Sequence, residues 1–453
     1  MGSLFSALNN AAETLRTYER ALTTSQNNVS NASTPGFAKQ RASFVAKRFE
    51  PDRGILGGVE WGPSISTRDF RAEANVWRQS DKLGFQTQRR QDLTAVESLA
   101  TVAAGEGIPG ALDRLFQSFS QLSVSPNDGS ARQTVLDRAG ELAAEFNRTA
   151  QGFAAAEVDA DRQLHSAVAR VNQLGARIAD LNASRRASFS GQVDTGTDAA
   201  LHQTLEELSQ YVNYTAVEAD DGTISVFLGG QSLFVIGVNA YAVQADTSGG
   251  SAQVLSAGGD AITQYLNSGQ IGALTGLRNT TLPGYRAQLN ALAQSTADAI
   301  NGQLSLGLDA NGLTPTVNLF SYTPGSAAQT LTVTPGFTTG QLAAAEAGAP
   351  GGNGNAIALA NLATANIVNG RTLSSAYADL ASTIGRDLES AALGEATAQS
   401  LVTQAQSYRE EISGVSLDEE AALMVQYQRS YQAAAQLFQI ASELTETLIN
   451  LGR

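Results

Sequence analysis

The chain contains no cysteine and very few histidines, methionines and tryptophans. Its 453 residues include two His, His165 and His202, two Met and two Trp. Without thiols, the protein cannot form disulfides, bind metals through thiolates or use a cysteine nucleophile. Two histidines are too few for a histidine-rich metal cluster. Most familiar active sites are therefore excluded, and we expect neither a cofactor nor an enzyme.

Positive charge and long apolar runs are also scarce. Lys and Arg total 29 against 43 Asp and Glu, which gives a formal net charge of −14. Such a chain is repelled by phosphate backbones, so nucleic acid is not an expected partner. The most apolar stretch, residues 224–243, is broken by glycine, glutamine and asparagine and cannot supply the ~20 apolar residues that span a bilayer. We expect no membrane insertion and, since no basic segment precedes an apolar core at the amino terminus, no cleaved signal peptide.

Both ends of the chain carry apolar residues at alternating spacings of four and three, the pattern of a coiled-coil seam. In the amino-terminal segment, the row is Leu4, Leu8, Ala11, Leu15, Tyr18, Leu22, Ser25 and Val29. In the carboxyl-terminal segment, it is Leu423, Tyr427, Ser430, Ala434, Leu437, Ala441, Leu444 and Leu448. The pattern predicts one amphipathic helix at each end.

Charge and a second apolar row indicate how these helices associate. Basic residues outnumber acidic ones by seven to four in residues 1–53, whereas acidic ones outnumber basic ones by eight to three in residues 395–453. Such charges select a partner, but burial of apolar surface must supply most of the stability. The second row recurs every seven residues, at Leu417, Met424, Tyr431 and Phe438. Because it adds to the first seam, the carboxyl-terminal helix needs more than one apolar neighbour.

Helical and β-type patterns alternate between the two ends. Residues 81–122 and 132–181 have helical periodicity, whereas residues 223–228 and 232–238 are β-type and flank Gly229-Gly230, which predicts a hairpin. At ~150 residues per domain, the length predicts about three domains. We predict a mainly α, nested fold with a β-rich insert. Residues 1–40 and 414–453 pair as an inner core, 41–80 form a linker with short strands, 81–210 and 356–413 form a long helical bundle, and 211–355 form a β-rich outer domain.

An Asn- and Ser-rich segment follows the predicted amino-terminal helix. It reads Asn27-Asn28-Val29-Ser30-Asn31-Ala32-Ser33-Thr34-Pro35-Gly36-Phe37. A residue before proline is disfavoured in the α region and glycine readily turns the chain, so the helix should end before Thr34. As a string, the segment resembles the Asn-Val-Ala-Asn-Ala-Asn-Thr-Pro-Gly-Tyr motif of bacterial flagellar rod, hook and hook-associated proteins. The matching residues are Asn28, Val29, Asn31, Thr34, Pro35, Gly36 and Phe37, the last in place of tyrosine.

The carboxyl-terminal segment is similar to that of one branch of this family. Residues 413–421, Ser-Gly-Val-Ser-Leu-Asp-Glu-Glu-Ala, resemble the corresponding part of FlgK-type hook-associated proteins, and residues 205–209, 272–277 and 307–312 resemble further segments of them. The resemblance implies a structural subunit that joins the flagellar hook to the filament and is secreted by the flagellar type III apparatus to the extracellular flagellum. It also implies four kinds of partner: other copies of the chain, the hook protein, a second hook-associated protein and a dedicated export chaperone.

We predict that the terminal helices form the assembly interface and are buried only when subunits join. An isolated pair of such Ala-, Ser- and Gln-rich helices buries too little area to offset about 1 to 2 kcal/mol of backbone ordering per residue. The predicted interface residues are Leu4, Leu8, Leu15, Tyr18, Leu22, Val29, Leu417, Leu423, Met424, Tyr427, Tyr431, Leu437, Phe438, Leu444 and Leu448.

Three alternatives remain open. The nearest is a flagellar hook or distal rod protein, and a surface adhesin would place its function in the β-rich insert. A cell-wall hydrolase would use Asp220, Asp221 or His202, although Asp-Gly between two strands is ordinary turn chemistry and His202 lies near no nucleophile motif. Residues 309–312 resemble the start of a calcium loop, but the ligands that an EF-hand needs next are missing, which favours a plain turn.

Overall fold

The computed structural model describes residues 2–50, 55–100, 105–188 and 194–451. The helices are α1 (Gly2–Ser30), α2 (Phe70–Glu97), α3 (Gly107–Val124), α4 (Gly129–Ser188), α5 (Thr195–Tyr211), α6 (Gly269–Gly276), α7 (Leu282–Ser305), α8 (Ala327–Thr330), α9 (Gly354–Asn361), α10 (Leu373–Ser413) and α11 (Leu417–Leu451). The strands are β1 (Gln40–Arg41), β2 (Phe44–Ala46), β3 (Phe49–Glu50), β4 (Ile55–Leu56), β5 (Val59–Trp61), β6 (Ile65–Ser66), β7 (Tyr214–Glu218), β8 (Ile224–Leu228), β9 (Ser232–Ile236), β10 (Asn239–Ala240), β11 (Gln244–Asp246), β12 (Gln253–Leu255), β13 (Gly307–Leu308), β14 (Phe320–Ser321), β15 (Thr332–Val333) and β16 (Ala345–Glu346).

The chain folds as a mainly α protein with a β-rich insert, as its sequence predicts. The first helix, α1, packs along the last, α11, and the short strands β1 to β6 lie beside this pair. Helices α2 and α10 run antiparallel, with Thr87 Oγ1 of α2 2.9 Å from Glu395 Oε1 of α10. Around them, α3 to α7 complete a helical bundle. Within the described part of the chain, no helix has the length and apolar composition needed to cross a membrane.

The sheet β10-β9-β8-β7 begins the β-rich insert. Strands β8 and β9 are antiparallel and meet at Gly229 and Gly230, whose φ angles of +58° and +75° are readily adopted by glycine. The predicted hairpin is therefore confirmed. The sheet packs on α4 through β9 and β10, and Phe234 lies in the same core as the helices.

Two helix boundaries differ from the sequence interpretation. Residues 81–122 do not form one helical segment, because α2 ends at Glu97 and α3 begins only at Gly107, with positive φ at Gly105 and at Gly107 itself. The predicted linker 41–80 contains the start of α2, because Asp69 accepts hydrogen bonds from the backbone N–H groups of Arg71 and Ala72. The remaining domain limits stay a prediction.

One hydrophobic core joins the bundle and the insert. Its largest fully buried side chains are Tyr377, Phe119, Phe146, Phe153, Phe234 and Phe320. The described members of this core run from Trp77 to Ala391, so neither α1 nor α11 contributes to it. The terminal pair is therefore a separate layer, attached to a bundle that has its own core.

Candidate assembly surfaces of the terminal helices

The contact between α1 and α11 buries small and polar side chains. On α1, the buried residues are Thr17, Ala21, Ser25 and Asn28. On α11, they are Glu420, Ala434 and Ala441. Since burial of apolar area is the main favourable term in helix association, these fully buried side chains contribute little of it.

An aromatic cluster connects the pair to the short strands. The Phe44 ring of β2 lies 5.7 Å from the Tyr18 ring of α1 and 5.8 Å from the Tyr427 ring of α11, measured between ring centroids. Trp61 of β5 meets the edge of Phe44 at 6.5 Å. These contacts are the chief aromatic packing in the terminal layer, and Tyr18 and Tyr427 belong to the interface predicted from the sequence.

The predicted interface residues of α1 share one environment. All of them are half-buried in the single chain, and they are Leu4, Leu8, Leu15, Tyr18, Leu22 and Val29. The fully buried row of α1 lies on a neighbouring face, at residues 17, 21, 25 and 28. The predicted seam is thus only partly buried in the single chain.

The predicted interface residues of α11 divide into two groups. The half-buried ones are Leu423, Met424, Tyr427 and Phe438, and the Tyr427 ring lies 6.5 Å from the Tyr18 ring of α1. The exposed ones are Leu417, Tyr431, Leu437, Leu444 and Leu448. The structure therefore covers the first group in part and leaves the second group in solvent. The assembly role of both groups stays a prediction.

An exposed apolar row follows the outer face of α11. The exposed fractions are 63% for Leu437, 54% for Ile440, 52% for Leu444 and 49% for Leu448. Their spacings of three and four place them on one helix face. Ile440 was not in the predicted interface, although its spacing from Leu437 and Leu444 is the signal that would have found it. We call these four residues the outer row of α11.

Asn28 of the motif fastens the end of α1 to the chain that returns beside it. Its amide Nδ2 donates to Gln40 O at 2.8 Å, and its Oδ1 accepts from Gln40 N at 3.0 Å. The same amide donates to Glu420 Oε1 of α11 at 3.1 Å. A single buried amide therefore holds three segments of the terminal layer together.

The rest of the motif forms the turn that ends α1, which confirms the predicted helix end. Asn31 Oδ1 accepts from Thr34 Oγ1 at 3.1 Å, and Phe37 N donates to Thr34 O at 3.1 Å. Pro35 is exposed, whereas Val29 and Phe37 are half-buried. The polar side chains of the motif thus satisfy backbone and side-chain groups within a tight turn.

Gly36 is the point at which this turn meets the bundle. Its φ is +74°, and a Cβ built on it would lie 2.4 Å from Ala199 O of α5. Its carbonyl accepts a hydrogen bond from Arg68 Nη2 at 2.6 Å. Both the backbone conformation and the close approach to α5 therefore require glycine.

Arg68 stands at the centre of a buried ion network that the sequence did not reveal. Its guanidinium pairs with Glu73 of α2 and, at 2.7 Å, with Asp198 of α5. Arg409 of α10 binds Glu73 at 3.3 Å and Glu206 of α5 at 2.6 Å. The network joins α2, α5 and α10 to the motif turn through the Gly36 carbonyl, and it is the joint between the terminal layer and the bundle.

The residues that a cell-wall hydrolase would use, His202, Asp220 and Asp221, lie in a buried ring stack and in a turn. His202 is buried and stacked on Trp77 at 6.0 Å, and burial together with the charges of Arg68, Arg185 and Arg409 lowers its pKa well below the usual value. Asp221 accepts hydrogen bonds from the N–H and hydroxyl of Thr223, which lower its pKa. Asp220 and Asp221 thus sit in the turn between β7 and β8, and His202 lies in the bundle interior. The structure does not bring these residues together in one site.

Comparison with models of known families shows to which family this chain belongs. The model described as "Flagellar hook-associated protein FlgK helical domain" matches residues 93–320, which is half of the chain. The chain belongs to the FlgK family. Its role is accordingly structural, at the flagellar junction between hook and filament. A second model, described as "Flagellar basal body rod FlgEFG protein C-terminal", matches residues 406–451.

Individual relatives agree with membership in the FlgK family. Flagellar hook-associated protein 1 of Bacillus subtilis is 25% identical, with 99% of each chain covered. The protein of the same name from Salmonella typhimurium is 23% identical, with 98% of this chain and 100% of the relative covered. The structure of the flagellar hook junction protein FlgK from Burkholderia pseudomallei superimposes with a TM-score of 0.66 at 16% identity, over 75% of this chain and all of that one. The last likeness supports the fold.

Replacing Gly36 by alanine should destabilise the joint of this FlgK-family protein. The left-handed backbone costs a non-glycine residue about 1 to 2 kcal/mol, and the overlap with Ala199 O adds roughly 1 to 3 kcal/mol. Gly325 is a matched control, since its φ is +83° and nothing lies within 4 Å of its built Cβ. We expect chemical denaturation to show a larger loss for Gly36→Ala than for Gly325→Ala. Equal losses in the free energy of unfolding for the two variants would mean that the motif turn does not pack closely against α5.

Proposed function

We propose that this FlgK-family chain is exported unfolded by the flagellar type III apparatus and assembles at the end of the hook by burying its terminal helices between neighbouring copies. The observation that carries this proposal is the outer row of α11, four large apolar side chains that are each about half exposed or more in the single chain. Apolar rows of this kind on soluble proteins mark contacts with other molecules. The chain acts as a building block without catalysis.

The weak contact between α1 and α11 supports the same proposal. Fully buried residues in that contact are small or polar, whereas the larger apolar side chains remain half-buried or exposed. A pair with this distribution becomes stable when further helices cover it. Because subunits in a ring or helical tube contact head to tail, different faces of each terminal helix meet different neighbours.

Export and partners are proposed from the family and the composition. A chain without cysteine forms no disulfide that would obstruct threading through a narrow channel. The neighbours that we propose are other copies, the hook protein and a second hook-associated protein, with an export chaperone bound to the carboxyl-terminal region beforehand. A hook or distal rod role gains less support, because the rod model matches only residues 406–451, whereas the FlgK model matches residues 93–320.

Electron microscopy of a deletion strain tests the function. Cells that lack the gene should carry hooks of normal length without filaments and should release filament subunits into the medium. A plasmid copy of the gene should restore the filaments. Normal filaments in the deletion strain would contradict the junction role, and missing hooks would favour the hook or rod alternative.

Hydrogen exchange tests the order of folding and assembly. In the monomer, we expect fast exchange in α1 and α11 and slow exchange in α4, whose core face includes Val135, Leu142, Phe146 and Phe153. In assembled junctions, both terminal helices should become protected. Slow exchange of α1 and α11 in a verified monomer would show that the pair is stable before assembly.

A further inference from the structure

A polar cluster lies where α2 packs against α4 and α6. The Nε2 group of Gln88 on α2 donates to Asp92 Oδ1 at 2.8 Å and to Gln163 Oε1 of α4 at 2.8 Å. Gln270 of α6 donates to Gln88 Oε1 at 2.7 Å, and Gln163 donates to Asp159 Oδ2 at 2.8 Å. The cluster thus joins three helices through amide groups and two carboxylates.

Asp92 is the acid that this cluster holds away from solvent. The residue is 7% exposed, whereas Asp159 lies at the surface. The Oδ1 atom of Asp92 accepts from Gln88, but its Oδ2 atom has no hydrogen-bond partner among the residues that the structure describes. Because a buried carboxylate needs compensating donors or a cation, ionised Asp92 is costly in the folded chain.

The charged groups on the helices around Asp92 do not compensate it. On α4, Asp159 is itself negative, and Arg162 binds it at 2.8 Å. Helix α6 has no charged residue. The carboxylates of α10 that bind α2 are each paired with an arginine of α2, in the pairs Arg89–Asp387 and Arg90–Glu395. In the described part of the chain, none of the ion pairs includes Asp92.

This environment changes the protonation of Asp92 on folding. Burial raises the pKa of Asp92 from 3.8 to about 6, and the charge of Asp159 adds to the rise, although the amides of Gln88 and Gln163 oppose it. The unfolded chain exposes the carboxyl and restores its ordinary pKa, so the folded chain holds the proton more tightly. The stability that protonated Asp92 allows is therefore fully present below about pH 4 and is lost as the pH rises through about 6.

We infer that Asp92 is a pH-sensitive device that lowers the stability of the helical bundle at neutral pH and restores it in a more acidic medium. The inference rests on the proposed function, in which the chain passes the export apparatus unfolded. In the near-neutral cytoplasm, the carboxyl is ionised and the bundle unfolds more readily before export. Outside the cell, an acidic medium protonates the carboxyl and stabilises the refolded bundle.

Equilibrium unfolding of Asp92→Asn at several pH values tests the device. Asparagine keeps the size of the side chain and the oxygen that accepts from Gln88, but it cannot ionise. The full-length wild type and the variant are unfolded in urea, and circular dichroism reports the loss of helix. Near pH 4 we expect similar stabilities. Near pH 7.5, the unfolding constant of the variant should be smaller than that of the wild type by about a hundredfold.

Two further variants make this measurement specific. Asp113→Asn is a matched control, since Asp113 is exposed on α3 and the same atoms are exchanged, and its pH profile should follow that of the wild type. If Asp92→Asn does not fold, Asp92→Leu replaces it, because a constant cost of packing does not alter the change of stability with pH. A difference from the wild type that is the same at every pH would overturn the inference.

Secretion by cells separates the inference from the proposed function. The rate at which each chain enters the medium is measured in strains with an active and with an inactive flagellar export apparatus. Secretion of the wild type by both strains would overturn the proposed function and the inference with it. If the wild type needs the apparatus, Asp92→Asn should be secreted severalfold more slowly than the wild type and Asp113→Asn. Equal rates for all three chains would overturn only the inference.

Discussion

Cells that produce the Leu437→Asp variant should export the protein and yet build few or no filaments. Leu437 is 63% exposed in the single chain and belongs to the outer row of α11 that we propose is covered by a neighbour. Burial of a leucine side chain contributes about 1.5 to 3 kcal/mol, and an unpaired buried carboxylate adds a penalty of several kcal/mol. Because every copy in the ring loses this contact, the losses accumulate. Counting filaments by electron microscopy and measuring the secreted protein separate export from assembly.

Two controls keep this result specific to assembly. Glu443→Gln changes an exposed residue of α11 outside the outer row and should alter stability by no more than ~0.5 kcal/mol. The melting curve of the Leu437→Asp monomer should match that of the wild type, because the side chain is mostly in solvent there. Normal filament numbers with Leu437→Asp would show that the outer row is not an assembly contact.

The helices were predictable where local pattern and packing agree. The helical periods of α1 and α4 and the Gly229-Gly230 hairpin all depend on residues close together in sequence, and the structure has both helices and the hairpin. Ser416 precedes α11 with Glu419 three residues later, the spacing of a capping box, and its hydroxyl accepts from Glu419 N at 3.4 Å. The Glu419 carboxylate, however, binds Lys39 of the amino-terminal segment at 2.8 Å. The local capping rule accounts for the contact of the Ser416 hydroxyl. The direction of the Glu419 carboxylate is instead set by Lys39, which is distant in sequence.

The seam predicted on α11 divides because a seven-residue repeat does not match the pitch of a straight helix. An ideal α-helix rotates a heptad row by about 20° per repeat. Within each repeat, moreover, two positions three residues apart differ by about 60° around the helix, so buried Ala434 and Ala441 alternate with exposed Leu437 and Leu444. Tyr427 lies against Tyr18 of α1, whereas Leu437, Leu444 and Leu448 are exposed about three to six turns later.

The joint could not be found from local pattern. Arg68, Asp198 and Arg409 are more than a hundred residues apart, and single charged residues in a helical sequence usually face solvent. Only the packing of α2, α5 and α10 brings their side chains together. The Gly36 approach to α5 has the same origin, although the sequence did mark Gly36 as part of a motif. The structural role of that motif becomes clear only when α5, against which Gly36 packs, is in place.

Replacing Arg68 by methionine should destabilise the protein by about 3 to 5 kcal/mol, the usual effect of removing one partner from a buried ion pair. The Arg68 and Asp198 side chains are 9% and 8% exposed, and Glu73 is 2% exposed. Methionine fills much of the same volume, so the loss comes mainly from two carboxylates that keep only Arg185 and Arg409 as cationic partners. Guanidinium denaturation followed by tryptophan fluorescence, to which Trp61 and Trp77 both contribute, measures the change.

The Arg68→Met variant should also loosen the attachment of the terminal layer, because the Gly36 carbonyl loses its donor. Arg71→Met is a matched control, since Arg71 lies three residues away on an exposed position at the start of α2. It should change the free energy of unfolding by no more than ~0.5 kcal/mol. Limited proteolysis should cut the Arg68→Met variant faster in residues 30–41 than in α4. If Arg68→Met unfolds within ~1 kcal/mol of the wild type, the ion network does not couple the terminal layer to the bundle, and the joint must depend on the Asn28 amide and the Gly36 packing.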